Sequence, residues 1–239
     1  MTENAVKFKK GISDGLPICF GYFAVAFAFG IFAVESGMSV VQSLLISMTN
    51  VTSAGQLAAV PVIAGGGTLI ELAVAQFVIN LRYSLMSLSL SQKIDKNVTL
   101  KQRLAISFGI TDEIFAVSVR QPRDLTAVYM AGLILTPVLG WTLGTTAGAV
   151  ATSFMPKILS ESMGIALYAM FIAIVIPPAR ENKKILPGIL LSVLLSLAFT
   201  YLPYLSRLSG GWVIIIITLV VSAVMATFFP IPENKEETE

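Results

Sequence analysis

Arg82 stands near the middle of an apolar run from about Glu71 to Leu90, inside the string FVINLRYSLM (77–86). A cation in hydrocarbon costs about 2.5–3.5 kcal/mol on the mildest insertion scale, so such a residue faces a bundle interior or a watery cavity and takes a partner. A second costly site is TDEIFAV (111–117), where Asp112 and Glu113 are adjacent inside another hydrophobic stretch. Neighbouring helical residues point about 100° apart, so both acids cannot share one guanidinium equally. One acid pairs with Arg82; the other, left in a low-dielectric surrounding, could carry a proton. The same residues also read as a helix start, with Thr111 as cap and two acids in the first turn.

Two further groups carry hydrogen-bonding capacity. In SAGQ (53–56), Ser53, Ala54 and Gly55 precede Gln56. Small residues let backbones approach or expose backbone groups to a ligand, and Gln56 offers a donor and an acceptor to an amino acid's charged ends. Asn80 lies one turn from Ser84. Gln56 and Asn80 serve equally well as helix–helix hydrogen bonds. Gly140, Gly144 and Gly148 recur every four residues, with Gly132 and Thr136 extending the row, and form a helix-packing stripe. Trp141 beside them anchors at an interface or lines a cavity.

The elements that position these residues are membrane segments. Apolar residues make up 55% of the 239 and charged residues 13%, against about 45–50% and 25% in soluble domains. That implies an all-α polytopic membrane protein forming a single integral membrane domain over 1–239. Six segments are long enough to span: 16–34, 72–91, 125–152, 161–179, 185–203 and 212–230. Lys7, Lys9, Lys10 and Ala26-Phe27-Ala28 invite a signal-peptide reading, but the apolar run continues to Val34 and further segments follow. Two stretches are anomalous. Polar residues from Ser47 to Gln56 crowd the middle of 39–64, and 104–119 is short and holds Gly109, Asp112 and Glu113. Both are spanning helices buried in the bundle, or broken, re-entrant segments.

Charge placement separates these arrangements. With a cytoplasmic N-terminus (1–14), eight simple spans put nine Lys/Arg inside and six outside. Two re-entrant segments bring the 92–103 loop inside; thirteen are then inside, and only Lys157 and Arg207 remain outside. The excess of inner cations favours the second arrangement. It makes an inverted repeat, 39–64 with 72–91 and 104–119 with 125–152, in which QLAAV (56–60) and EIFAV (113–117) occupy matching places. Interrupted segments paired in this way point to a transporter site. The polar tail 232–239 is expected to be cytoplasmic and solvated.

Several functions are disfavoured. Histidine is absent and Cys19 is the single cysteine, so no metal site, cofactor or intrachain disulfide is expected. With one adjacent acid pair and no nucleophile–base set, an enzyme is not expected. No basic stripe with stacking aromatics suggests nucleic acid. An amino-acid or small-solute channel and a non-transporting scaffold remain as alternatives to a carrier.

At these residues the chain resembles the AzlC family, the large subunit of the two-component AzlC/AzlD branched-chain amino acid exporter. GISDGLPICFGYFAVAFAFG (11–30), SAGQ (53–56), NLRYSLM (80–86), TDEIFA (111–116), Trp141 and FIAIV (171–175) carry the resemblance, which runs to about Arg180. One departure is Tyr83 and Met86, where the family commonly has His and, three residues on, Tyr. The resemblance implies export of leucine, isoleucine, valine or analogues across a bacterial cytoplasmic (inner) membrane, with a small AzlD-like membrane subunit. No nucleotide motif is present, so the proton-motive force is the expected energy source. Gln56, Asn80, Arg82, Asp112 and Glu113 are the expected substrate site, with Asp112 or Glu113 as proton carrier.

Overall fold

The computed structural model describes residues 2–122 and 124–229. The expected cytoplasmic tail 232–239 and Arg123 lie outside the described residues. The described chain forms ten α-helices: α1 (Glu3–Glu35), α2 (Val40–Thr49), α3 (Ser53–Ala64), α4 (Leu69–Ser91), α5 (Leu100–Phe108), α6 (Asp112–Val119), α7 (Ala127–Ala151), α8 (Lys157–Glu181), α9 (Leu186–Tyr201) and α10 (Gly210–Phe228). α1, α4, α7, α9 with the turn before it, and α10 are long and apolar enough to cross a bilayer. α8 has the 25-residue length of α7, enough for the expected crossing at 161–179; about half of its side chains lie outside the described residues. The molecule is an all-α, multi-pass membrane protein.

α1 and α7 form the central pair, and they run parallel. A Cβ built on Gly140 would sit 2.5 Å from the Cys19 carbonyl oxygen, on Gly144 2.4 Å from that of Phe23, and on Gly148 1.9 Å from that of Phe27. The partners climb together along both helices, which fixes the direction. Lipid gives helices no hydrophobic reason to associate, so close backbone approach over small residues supplies the attraction.

The 39–64 and 104–119 stretches are broken, as the polar and glycine residues in their middles demand. α2 ends at Asn50 and α3 begins after Thr52, both in extended backbone. α5 ends at Gly109 and α6 begins after the extended Thr111. The caps repeat. Ser39–Gln42 and Thr99–Gln102 form capping boxes at the starts of α2 and α5. Thr52 and Thr111 cap α3 and α6, accepting from the Gly55 and Ile114 N–H groups. Each side-chain cap satisfies a donor that the first helical turn leaves orphaned. The capping pattern corrects one detail of the expected repeat: Gln56 lies four residues past its cap and Glu113 two past its own, so QLAAV and EIFAV are not equivalent.

Each broken segment enters and leaves at a single end of the bundle, and the two use opposite ends. After α4 the chain is stitched to the start of α7: Asp95 N–H donates to Leu125 O at 3.0 Å, and Leu125 N–H to Lys93 O at 2.9 Å. Lys93 also reaches the Val119 carbonyl at the end of α6. Near the same end, Asp14 of α1 accepts from Tyr129 Oη at 2.9 Å. The 92–99 loop therefore lies beside the start of α7, at the end where α1 begins. The α2–α3 hairpin enters from the other end. Val60 packs with Phe29, Ala33 and Met38 near the end of α1, while Val51 at the hairpin tip packs with Tyr22, Ala26 and Trp141 midway. At that far end buried Glu71 of α4 accepts from the Ser209 hydroxyl and, at 3.0 Å, from the Gly211 N–H at the start of α10.

This geometry yields a labelling prediction. In a Cys19→Ala background, cysteines at Asn97 and Asn182 should resist an impermeant thiol reagent in intact cells, and one at Ser206 should react. Reaction at position 97 from outside would contradict a shared cytoplasmic end for the 92–99 loop and the N-terminus.

Candidate functional site

The two hairpin tips approach each other from opposite ends and meet beside α1. Between them, α1, α4 and α7 enclose a cavity of about 720 Å³. Its wall combines Thr52, Ser53 and Ala54 at the start of α3 with Thr111, Asp112 and Glu113 at the start of α6. Arg82 and Tyr83 come from α4, Tyr22 and Gly21 from α1, and Trp141 from α7; Ile18, Val25 and Val51 are apolar. Two other hollows, of about 520 and 690 Å³, have almost wholly apolar walls.

Arg82 Nη2 lies 2.7 Å from Asp112 Oδ2, and the two side chains are 54% and 50% exposed. The pair is therefore not sealed in the bundle, as a cost argument alone would suggest; it opens onto the cavity. Tyr83 Oη accepts from Arg82 Nη2 at 3.0 Å, and the guanidinium carbon lies 4.8 Å from the Tyr83 ring centre, within cation–π range. Glu113 takes a different partner. Tyr22 Oη lies 2.5 Å from Glu113 Oε2 and 2.6 Å from Thr111 Oγ1. A phenol has one proton, and the carboxylate is the stronger acceptor, so the Thr111 hydroxyl donates to Tyr22. The Tyr22 and Trp141 rings meet edge-on at 5.1 Å.

Gln56 and Asn80, expected at the same site, are not on the cavity wall. They belong to a polar cluster that holds the α2–α3 break. Gln56 is 0% exposed and its Nε2 donates to Ser47 Oγ at 2.8 Å and Asn50 O at 2.9 Å. Ser47 in turn pairs with Thr145 of α7 at 2.6 Å. Gln76 of α4 accepts from Asn50 and Asn80 and donates to the Gly55 carbonyl at 2.8 Å. In hydrocarbon the unwound carbonyls would otherwise cost several kcal/mol each, roughly. Gln76 was not evident from sequence, because an amide six residues upstream of Arg82 has no pattern of its own. Tyr22 was missed for the same reason: it meets its partners 89 and 91 residues away.

Trp141 leaves an open account. It is 2% exposed, and its Nε1 has no hydrogen-bond partner among the described residues. A buried donor without an acceptor costs about 1–3 kcal/mol.

The AzlC protein family matches residues 17–155, more than half of the chain. The chain belongs to the AzlC family. Every residue lining the cavity, from Pro17 to Trp141, falls within the AzlC match. The chain is 28% identical over 185 residues to inner membrane protein YgaZ of Escherichia coli K12, covering 74% of this chain and 76% of that one. It is 29% identical over 177 residues to an uncharacterized membrane protein of Archaeoglobus fulgidus, covering 73% and 77%. To the branched-chain amino acid transport protein AzlC of Bacillus subtilis it is 24% identical over 180 residues, covering 74% and 70%. No solved structure matches.

Proposed function

We propose that this chain is the large subunit of a secondary transporter that exports branched-chain amino acids across the cytoplasmic membrane, with a small AzlD-like membrane subunit as partner. The observation that carries the reading is the cavity between the two hairpin tips. It places Arg82, Asp112 and Glu113 against the apolar Ile18, Val25 and Val51. A zwitterion with an aliphatic side chain needs that combination. The name of the Bacillus subtilis relative agrees with it.

Coupling to protons falls to Glu113. Asp112 is engaged by Arg82, whereas the Glu113 contact is the neutral phenol of Tyr22. A proton on Glu113 would change its bond with Tyr22, and through Thr111 the hold of the α6 tip on α1. Packing of Tyr22, Val51 and Trp141 between the tips supports a carrier rather than an open channel. Added methylenes discriminate by only about 1–3 kcal/mol each, so methionine is an expected secondary substrate.

Cells fed a leucine- or isoleucine-containing dipeptide should accumulate less free amino acid when this chain and its partner are expressed together. Export against a gradient that collapses with an uncoupler is expected. Equilibration without accumulation on either side would favour a channel, and no export with a verified partner would remove the assignment.

A further inference from the structure

Two helix starts face the cavity, and their charge environments differ. α6 carries Asp112 and Glu113 in its first turn, whereas α3 has no acid in its own. The N–H groups of Ser53 and Ala54 precede the first intrahelical bond of α3, so they have no helical carbonyl to bond. Together with the helix dipole they present partial positive charge to whatever occupies the cavity. That feature is common to many helices and carries no weight alone.

The independent observation is Trp141. Its side chain forms part of the same wall as Val51, Thr52 and Ser53. Its buried indole N–H is unpartnered among the described residues. The edge contact with Tyr22 offers only the weak attraction of an N–H to a ring. The indole can donate and cannot accept, so what would complete it is an acceptor oxygen.

Building on the proposed export of amino acids, we infer that the start of α3 and the Trp141 indole form the subsite for the substrate's α-carboxylate. The α-ammonium then lies at the acidic start of α6, toward Glu113. The zwitterion bridges the outer hairpin, through its carboxylate, to the inner hairpin, through its ammonium. Arg82 keeps its place beside Asp112 and acts as a positioning residue for the acidic side. This orientation makes recognition depend on backbone N–H groups, which no side-chain change at Ser53 removes except proline. The expected ligand class is a free α-amino acid with an intact carboxylate; an amine of the same side chain with no carboxyl group lacks the acceptor oxygens and loses this subsite.

The test is equilibrium binding of L-leucine and 3-methylbutylamine, which keeps the side chain and ammonium but has no carboxyl oxygen, to the full-length protein in lipid nanodiscs. Trp141→Phe keeps the ring and deletes the donor. Ser53→Pro deletes the first free N–H at a position where proline suits a helix, after the already extended Thr52. Ser53→Ala keeps the N–H and serves as the conservative control. Each deleted donor should weaken leucine binding about tenfold, with 3-methylbutylamine binding unchanged and Ser53→Ala close to wild type. Melting temperature and elution volume of Trp141→Phe should match wild type, which keeps the result readable if Ser53→Pro fails to fold. Leucine binding that is insensitive to Trp141→Phe overturns the subsite while leaving the amino-acid reading intact. Equal loss of both ligands would reveal a general packing defect and also overturns it. Absence of leucine binding by the wild type overturns the subsite together with the export reading.

Discussion

Arg82→Ala is expected to abolish amino-acid export while the protein still reaches the membrane. Its partner Asp112 lies 2.7 Å away, both side chains are about half exposed, and both line the cavity. An ion pair on the wall of a cavity, rather than in the packed core, contributes little to stability, about 1 kcal/mol or less when solvated. The change should therefore spare folding and remove the positive charge that offsets two acids at the start of α6. Changing Asp112 to Asn together with Glu113 to Gln should have the same outcome from the other side, losing both the cation end of the site and the proton carrier. Reversing the pair, with Arg82→Asp and Asp112→Arg combined, separates structure from function. If the ion pair serves only the fold, the reversed protein exports normally, and the proposed site is lost. If the charges serve the substrate, the reversed protein is present in the membrane and inactive. Export is measured by loss of intracellular leucine after a dipeptide load, with membrane content checked by immunoblot.

Gly148→Leu should be the most destabilising single change in the described chain. Its Cβ would lie 1.9 Å from the Phe27 carbonyl oxygen. Local relief is blocked, because Gly144 and Gly140 hold the same two backbones at similarly close range along the seam. The helices must separate over several turns, which also withdraws α7 from the cavity wall. Overpacking costs about 1–3 kcal/mol typically and occasionally more, and this site belongs to the upper end because backbone, not a side-chain tip, stands in the way. The control is Gly21→Ala, where a Cβ meets nothing within 4 Å. In detergent, Gly148→Leu should aggregate or melt well below wild type, and Gly21→Ala should elute and melt normally. A monodisperse Gly148→Leu protein with an unchanged melting curve would show that α1 and α7 do not pack through this seam.

The membrane class, the two interrupted segments and the ion pair could be read from the chain before any coordinates. The reason is that hydrocarbon punishes each error. It requires long apolar runs, a shield around polar stretches such as Ser47–Gln56, and a partner for Arg82, and few candidates exist for each. The distribution of Lys and Arg likewise set the 92–103 loop at the end of the bundle where α1 begins. The depth of each tip, the role of the amides and the identity of the cavity wall came only with the tertiary structure. An amide such as Gln56 or Asn80 forms the same hydrogen bonds with a ligand as with a broken helix, so its chemistry alone cannot say which it does. In the structure Gln56 bonds to Ser47 and Asn50 at the α2–α3 break, and Asn80 bonds to Gln76 beside it. Tyr22 in an apolar helix and Trp141 beside a glycine stripe are ordinary residues locally. They acquire meaning because the parallel packing of α1 on α7 brings their rings to 5.1 Å and sets Tyr22 against Glu113, 91 residues along the chain. Local residue preferences decide where a helix breaks; which broken ends face one another is decided by packing between segments distant in the chain.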